Sequence, residues 1–211
     1  EIEEALLVGR IDCAIHSMKD MPAELPPGLA IAAVPAREDV RDALIGAESL
    51  AALSSGARLG TASLWRQAQA LYLRPDLDIV MMRGNVDTRL AKLAAGEADA
   101  IFLANAGLNR LGFDVARALI DPVAAPPAPG QGALAVETRD GDVDQPWVVA
   151  LRCLPTTIGV AAERGALFAL EGSCRTAIGA HAVIEGDRLL GAVMYGDTAD
   201  GAWFRSEEHT S

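Results

Sequence analysis

The sequence predicts an α/β protein, on three observations. Half of the residues are apolar (51%) while aromatics make up 4%, a balance of Ala, Leu, Val and Ile that suits helices and buried strands better than a β-sandwich. Segments of strand character alternate with segments of helical period from about residue 30 to 112. The 211 residues also exceed the roughly 100 to 150 of a usual single domain, so more than one core is expected.

In chain order, EIEEALLVG (Glu1 to Gly9) reads as an amphipathic helix, and the alternation of Ile11, Cys13 and Ile15 predicts a strand with one face buried. Pro22, Pro26 and Pro27 then force a loop. Leu29 to Pro35 and Ala57 to Ser63 read as strands, the second turning into the helix SLWRQAQALYL. Asp78 to Arg83 is a further strand, followed by the helix NVDTRLAKLAAGE. Ala98 to Asn105 reads as a buried strand that runs into AGLNRLG, a short helix closed by Gly112. This order argues for a mostly parallel sheet with helices on its faces. Pro122 to Pro129 is a Pro-rich connection, and PGQGALAVE behind it reads as a hinge entering another strand. From Thr156 a helix, TIGVAAERGALFAL, leads to two strands with turns, a small α+β unit. The chain opens on Glu1 inside a helix, without Met, which predicts a missing upstream segment. Arg205 to Ser211 (RSEEHTS) reads as a non-native tail and is set aside.

The formal net charge is -11, so nucleic acid and anionic membrane are excluded as partners. Cys13, Cys153 and Cys174 show no paired spacing, and His16, His181 and His209 lie far apart, so neither a disulfide framework nor a metal site is expected. Without an apolar run long enough to span a bilayer, and without a signal-like stretch, a cytoplasmic location is expected.

Ile11 to Pro22 (IDCAIHSMKDMP) sets Lys19 and Asp20 side by side where an apolar strand ends, with His16 and Ser17 at the same rim. A carboxylate beside an ammonium at a strand end is a plausible proton-handling arrangement; taken alone, the stretch reads rather as a solvated turn. Thr61 and Ser63 open one helix with Arg66 in its first turn. Arg83, Gly84 and Asn85 open the next, with Arg89 one turn in. Helix N-termini carry unsatisfied N–H groups and the positive end of the dipole, and arginine adds bidentate carboxylate binding. Residue by residue, the same groups read as helix caps and paired surface arginines. From Arg58 to Arg110, however, seven Lys and Arg stand against five Asp and Glu, a local excess of positive charge in an acidic protein. That excess predicts a basic cleft at strand ends, where open α/β sheets hold ligands.

HSMKDMP, GTASLWRQAQ, MRGNVDTRLAKL, AIFLANAGLNRLG, PGQGALAVE and EGSCRTAIGAHA, in this order and spacing, resemble the motifs of the hydroxymethylbilane synthase (porphobilinogen deaminase) family. The resemblance runs from the first residue to about Phe204. It implies two periplasmic-binding-protein-like α/β domains, the first incomplete (1–35 with 131–149) and the second spanning 39–126. It also implies a small, incomplete C-terminal α+β domain over 154–204. The implied activity is that of a transferase that polymerises four porphobilinogen units into hydroxymethylbilane with loss of ammonia, on a covalent dipyrromethane primer. Cys174 matches the cysteine that holds dipyrromethane by a thioether, and Asp20 the catalytic carboxylate. Ser17, Lys19, Thr61, Ser63, Arg66, Arg83, Arg89 and Arg110 match positions that bind acetate and propionate groups, which must not be spent on internal salt bridges. For Cys13 and Cys153 a plain packing role is preferred. A monomer is implied, and this chain, truncated at both ends, is expected to be inactive. Trp65 stands where the family usually has the first of two adjacent arginines, so one carboxylate clamp is missing, at a cost on the order of 2 to 5 kcal/mol for a buried charge pair. The competing reading is a non-catalytic anion-binding module of the periplasmic-binding-protein type, which would need neither Cys174 nor Asp20.

Overall fold

Three sheets with helices packed on them make up the protein, for which a computed structural model describes residues 1–22, 24–170, 176–196 and 203–210. The chain starts with helix α1 (Ile2–Leu7), strand β1 (Ala14–Ser17), a 3-10 turn (Met18–Asp20) and β2 (Leu29–Ala33). A second group follows: β3 (Asp42–Ile45), β4 (Arg58–Thr61), α2 (Leu64–Leu73), β5 (Asp78–Met81), α3 (Val86–Ala94), β6 (Ala100–Ala104), α4 (Asn105–Leu111) and β7 (Ala118–Leu119). The chain then returns through β8 (Leu134–Arg139), a 3-10 turn (Asp140–Asp142) and α5 (Pro146–Val149) to α6 (Leu154–Ala169), β9 (Ile178–Glu185), β10 (Arg188–Gly196) and β11 (Trp203–Thr210).

The first sheet has the order β1-β8-β2, with β8 antiparallel to both neighbours, so the chain crosses to the second group and comes back to fill the middle of the first sheet. The second sheet has the order β5-β4-β6-β3-β7. Strands β5, β4 and β6 are parallel, as the strand and helix alternation requires, but β3 runs antiparallel to β6 and β7. The expectation of a mostly parallel sheet is corrected to a mixed one. Strand β3 has no sequence signature of its own: all four of its residues are buried, because both faces of this sheet are covered. Leu44, Leu59 and Phe102 pack on one face with Ala70 of α2, and Ala43, Ile45, Ile101 and Leu103 on the other with Leu108 of α4.

A second correction concerns β1. The strand begins at Ala14, after Ile11 and Cys13, which are half-buried against separate clusters, and within it Ala14 is buried while Ile15 is exposed. Pairing with β8 places Ala14 opposite Glu137 and His16 opposite Ala135, and that register decides which side chains turn inward. Gly112 closes α4 in the left-handed region at φ 70°, where a glycine fits without a Cβ penalty.

Helix α6 joins the remaining parts. Val160 packs on the first sheet with Met18, Met21 and Ala135, while Glu163 reaches β9. Strands β9, β10 and β11 form an antiparallel meander, and residues 205–210, set aside in the sequence reading, pair with β10 as part of β11. Among the described residues no helix is long and apolar enough to cross a membrane.

Candidate functional site

The turn after β1, the N-terminus of α2, the face of α3 and the loop before β8 converge on a cavity of about 320 Å³. Lys19, Asp20, Ser63, Arg66 and Arg89 line it, together with Trp65, Gln131, Leu167, Thr176 and Ile178. Five of the ten expected site residues are therefore brought together. Each is set by local geometry. Lys19 and Asp20 fall in the 3-10 turn where β1 ends. Ser63 caps α2, its hydroxyl accepting from Arg66 N–H at 3.4 Å, and Arg66 then projects from the first helical turn.

The other expected residues stand apart. Thr61 is buried at the end of β4 and its hydroxyl accepts from Ser63 N–H at 3.1 Å, so it shapes the turn rather than the cavity wall. Ser17 ends β1. Arg83 is exposed in the turn before α3. Arg110 donates to the Gly132 carbonyl at 2.7 Å, tying α4 to the loop that carries Gln131. Cys174 lies outside the described residues; Thr176, two positions on, is on the cavity wall.

The requirement that the cleft arginines avoid internal ion pairs is corrected at Arg66. Its Nη2 lies 2.8 Å and its Nε 3.2 Å from Asp42 Oδ1, both side chains being buried. Between this pair and Lys19 sits Gln131, a fully buried residue that sequence reasoning assigned only to a hinge. Its Oε1 accepts from Lys19 Nζ and Arg66 Nη2, each at 3.2 Å, and its Nε2 donates to Asp42 Oδ1 at 2.7 Å and the Val40 carbonyl at 2.8 Å. One amide thus separates two like charges while bonding to both. The only sequence signal for it was a polar residue held between two glycines. Gly132 adopts φ 82°, and a Cβ there would overlap the Glu38 carbonyl.

Arg89 donates Nε–H to the Gly84 carbonyl at 2.8 Å. Burial in the cavity, and secondarily the charge of Arg66, push the Lys19 ammonium down from its ordinary 10.5 to about 8, against the opposing pull of Asp42 and Asp20. Burial and Arg66 also lower the Arg89 guanidinium. Among the described residues neither cation forms an ion pair, Lys19 bonding to the Gln131 amide and Arg89 to a carbonyl, so both are placed to meet an anion. A bound carboxylate would favour the protonated form of Lys19, and binding is then linked to proton uptake. The affinity of a dicarboxylate such as succinate should hold below pH 8 and fall above it, by at most about tenfold per pH unit for one linked proton. Titration calorimetry at pH 7 and pH 9 reads this directly; equal affinities would show that Lys19 takes no part.

An α/β frame with a cationic cavity at the strand ends suits a small polyanionic molecule. Comparison with known proteins makes this specific. The family model described as "Porphobilinogen deaminase, dipyromethane cofactor binding domain" matches residues 1–145, and the chain belongs to the porphobilinogen deaminase family. It is 69% identical to the porphobilinogen deaminase of Caulobacter sp. (strain K31) over 98% of this chain and 66% of that protein. The enzyme of Caulobacter vibrioides (strain NA1000 / CB15N) is 67% identical over 98% of this chain and 65% of its own length. That of Phenylobacterium zucineum (strain HLK1) is 70% identical over 88% and 59%. The chain therefore spans about two thirds or less of these relatives. Among solved structures, the periplasmic aliphatic sulphonate binding protein SsuA from Escherichia coli is similar at a TM-score of 0.42 and 15% identity, over 81% of this chain and 57% of that one.

Proposed function

We propose that this chain is the larger part of a porphobilinogen deaminase, a transferase that joins four porphobilinogen units into hydroxymethylbilane with loss of ammonia. The observation that carries the reading is the convergence of Lys19, Arg89, Ser63 and Asp20 on one cavity in which, among the described residues, Lys19 and Arg89 bond to an amide and a carbonyl rather than to a carboxylate. Porphobilinogen carries two carboxylates, so such a cavity suits it. Domains at 1–35 with 131–149, at 39–126 and at 154–204 belong to the same proposal, as does a cytoplasmic monomer that takes no nucleic acid.

The residues present fit a dipyrromethane group, whose side chains are carboxylates. Lys19, Arg89 and Ser63 would hold those carboxylates, and Cys174 would hold the group by a thioether. Cys174 stands two positions before Thr176, which is on the cavity wall. When bound, dipyrromethane supplies a pyrrole carbon as nucleophile. The protein's own part is positioning and charge. Lys19 and Arg89 neutralise the carboxylates they hold and fix the orientation of the pyrrole that bears them. The Asp20 carboxylate accepts a pyrrole N–H, stabilises positive charge as it develops on the ring and takes a proton at Oδ. Its exposure lets that proton pass to solvent.

The test is the intact mass of the expressed chain beside a Cys174→Ala control. The expected result is an added mass of two pyrrole units that the control lacks. An unmodified mass in the folded chain would instead favour an anion-binding module, for which a cationic cavity suffices.

A further inference from the structure

Trp65 stands in the first turn of α2, one residue before the arginine of the cavity, and is 3% exposed. Its ring packs with Ala68 of its own helix, with Ala177 just before β9 and with Met194 of β10. The indole Nε1–H donates to the Pro126 carbonyl at 2.8 Å. Gln69, one helical turn on and on the same face, donates to the same oxygen at 3.1 Å. The next carbonyl, that of Pro127, accepts from the Ala180 N–H of β9 at 2.9 Å. The Pro-rich segment is therefore bonded to α2 on one side and to β9 on the other.

Gly179 completes the fit. Its backbone is outside the left-handed region, so conformation does not call for a glycine, but a Cβ there would overlap both the Trp65 ring and the Pro126 carbonyl. Glycine within a strand often marks a close approach, and what approaches here is an indole. Close packing makes the two positions complementary: the ring occupies the space the side chain leaves.

With its N–H directed to Pro126, the indole does not replace a carboxylate clamp. We propose that Trp65 is a positioning residue, a wedge between α2 and β9 that holds the start of β9 in register with Ser63 and Arg66 and so supports loading of the dipyrromethane group. Thr176 and Ile178 line the cavity opposite those two residues, so a shift of β9 against α2 would change its width. The role in loading rests on the proposed reading of Cys174, while the wedge itself rests on packing alone.

The test compares Trp65→Ala, Trp65→Phe and Gly179→Ala with the unchanged chain. Two quantities are read: the fraction of molecules carrying the dipyrromethane mass, and the hydrogen-exchange rate of the Ala180 amide. Trp65→Ala and Gly179→Ala should cut the loaded fraction on the order of tenfold, as expected when reacting groups are displaced by about an ångström, and should speed Ala180 exchange by a similar factor. Trp65→Phe keeps an apolar wedge and should load nearly as the unchanged chain does. Full loading in folded Trp65→Ala or Gly179→Ala overturns the proposal. Should Trp65→Ala not fold, the contrast between Gly179→Ala and Trp65→Phe decides. Should the unchanged chain carry no adduct, the reading of Cys174 fails, and Ala180 exchange decides alone: an unaltered rate in the variants overturns the wedge.

Discussion

Glu163→Ala should cost the protein about 3 to 5 kcal/mol of stability, the range for removing one partner of a buried ion pair. Glu163 is fully buried in α6, and its carboxylate accepts from Arg37 Nη1 at 2.7 Å and Nη2 at 2.8 Å, from Gly130 N–H at 2.7 Å and from Ala182 N–H at 2.9 Å. His181 Nδ1 lies 3.5 Å away. One side chain thus joins the linker after β2, the loop before β8 and strand β9. Truncation leaves a guanidinium and two amide N–H groups without an acceptor, and buried donors without partners are costly. For a chain of this size the loss corresponds to a fall in Tm of roughly 10 °C or more. Burial alone would raise the Glu163 carboxyl, but His181, Arg37 and the Gly130 N–H outweigh it and hold the carboxyl below its ordinary 4.5. Its folded value being depressed, its contribution is present in full well above pH 4.5 and is lost as pH falls below that toward the native value. Urea unfolding at pH 7 and pH 4 checks both statements. A midpoint for Glu163→Ala close to that of the unchanged chain would remove Glu163 as the joint.

The sequence was most legible where local rules suffice. Helix α2 with its Ser63 cap, α3 with Asn85, and the closure of α4 at Gly112 follow from capping chemistry within a few residues. Strand β3 was not legible, since four residues beginning with an acid and buried on both faces give neither alternation nor length. The phase of β1 is not legible for a related reason: Ile15 is the larger hydrophobe, but register with β8 turns Ala14 inward. Lys19, Asp20, Ser63, Arg66 and Arg89, which line one cavity, are legible because each stands at a strand end or a helix start. The residues that arbitrate among them are distant in sequence. Gln131 and Asp42 are 89 positions apart, and Arg37 and Glu163 are 126 apart. Trp65 shows the same limit, since its cost as a lost charge is readable locally whereas Gly179, which receives it, is not.

Asp42→Ala should also cost about 3 to 5 kcal/mol, with a signature that separates it from any ordinary core defect. Asp42 Oδ1 is the acceptor for Arg66 Nε and Nη2 and for Gln131 Nε2. Without it Arg66 keeps, among the described residues, the Phe102 carbonyl at 3.4 Å and Gln131 Oε1 at 3.2 Å, while Lys19 loses one of the two charges that support its protonated form. Three cations then share one cavity, and their mutual repulsion opposes folding. An anion in the cavity would supply the missing charge, so the variant should bind a dicarboxylate more tightly than the unchanged chain. Ligand binding stabilises by about 2.7 kcal/mol at a hundredfold excess over Kd, so saturating succinate should recover much of the loss in Asp42→Ala and raise the Tm of the unchanged chain less. Thermal unfolding of both proteins with and without succinate measures it. An equal rise in the two would mean that Asp42 and the ligand do not compete for Arg66, and that the guanidinium is a structural strut rather than a binding group held in reserve.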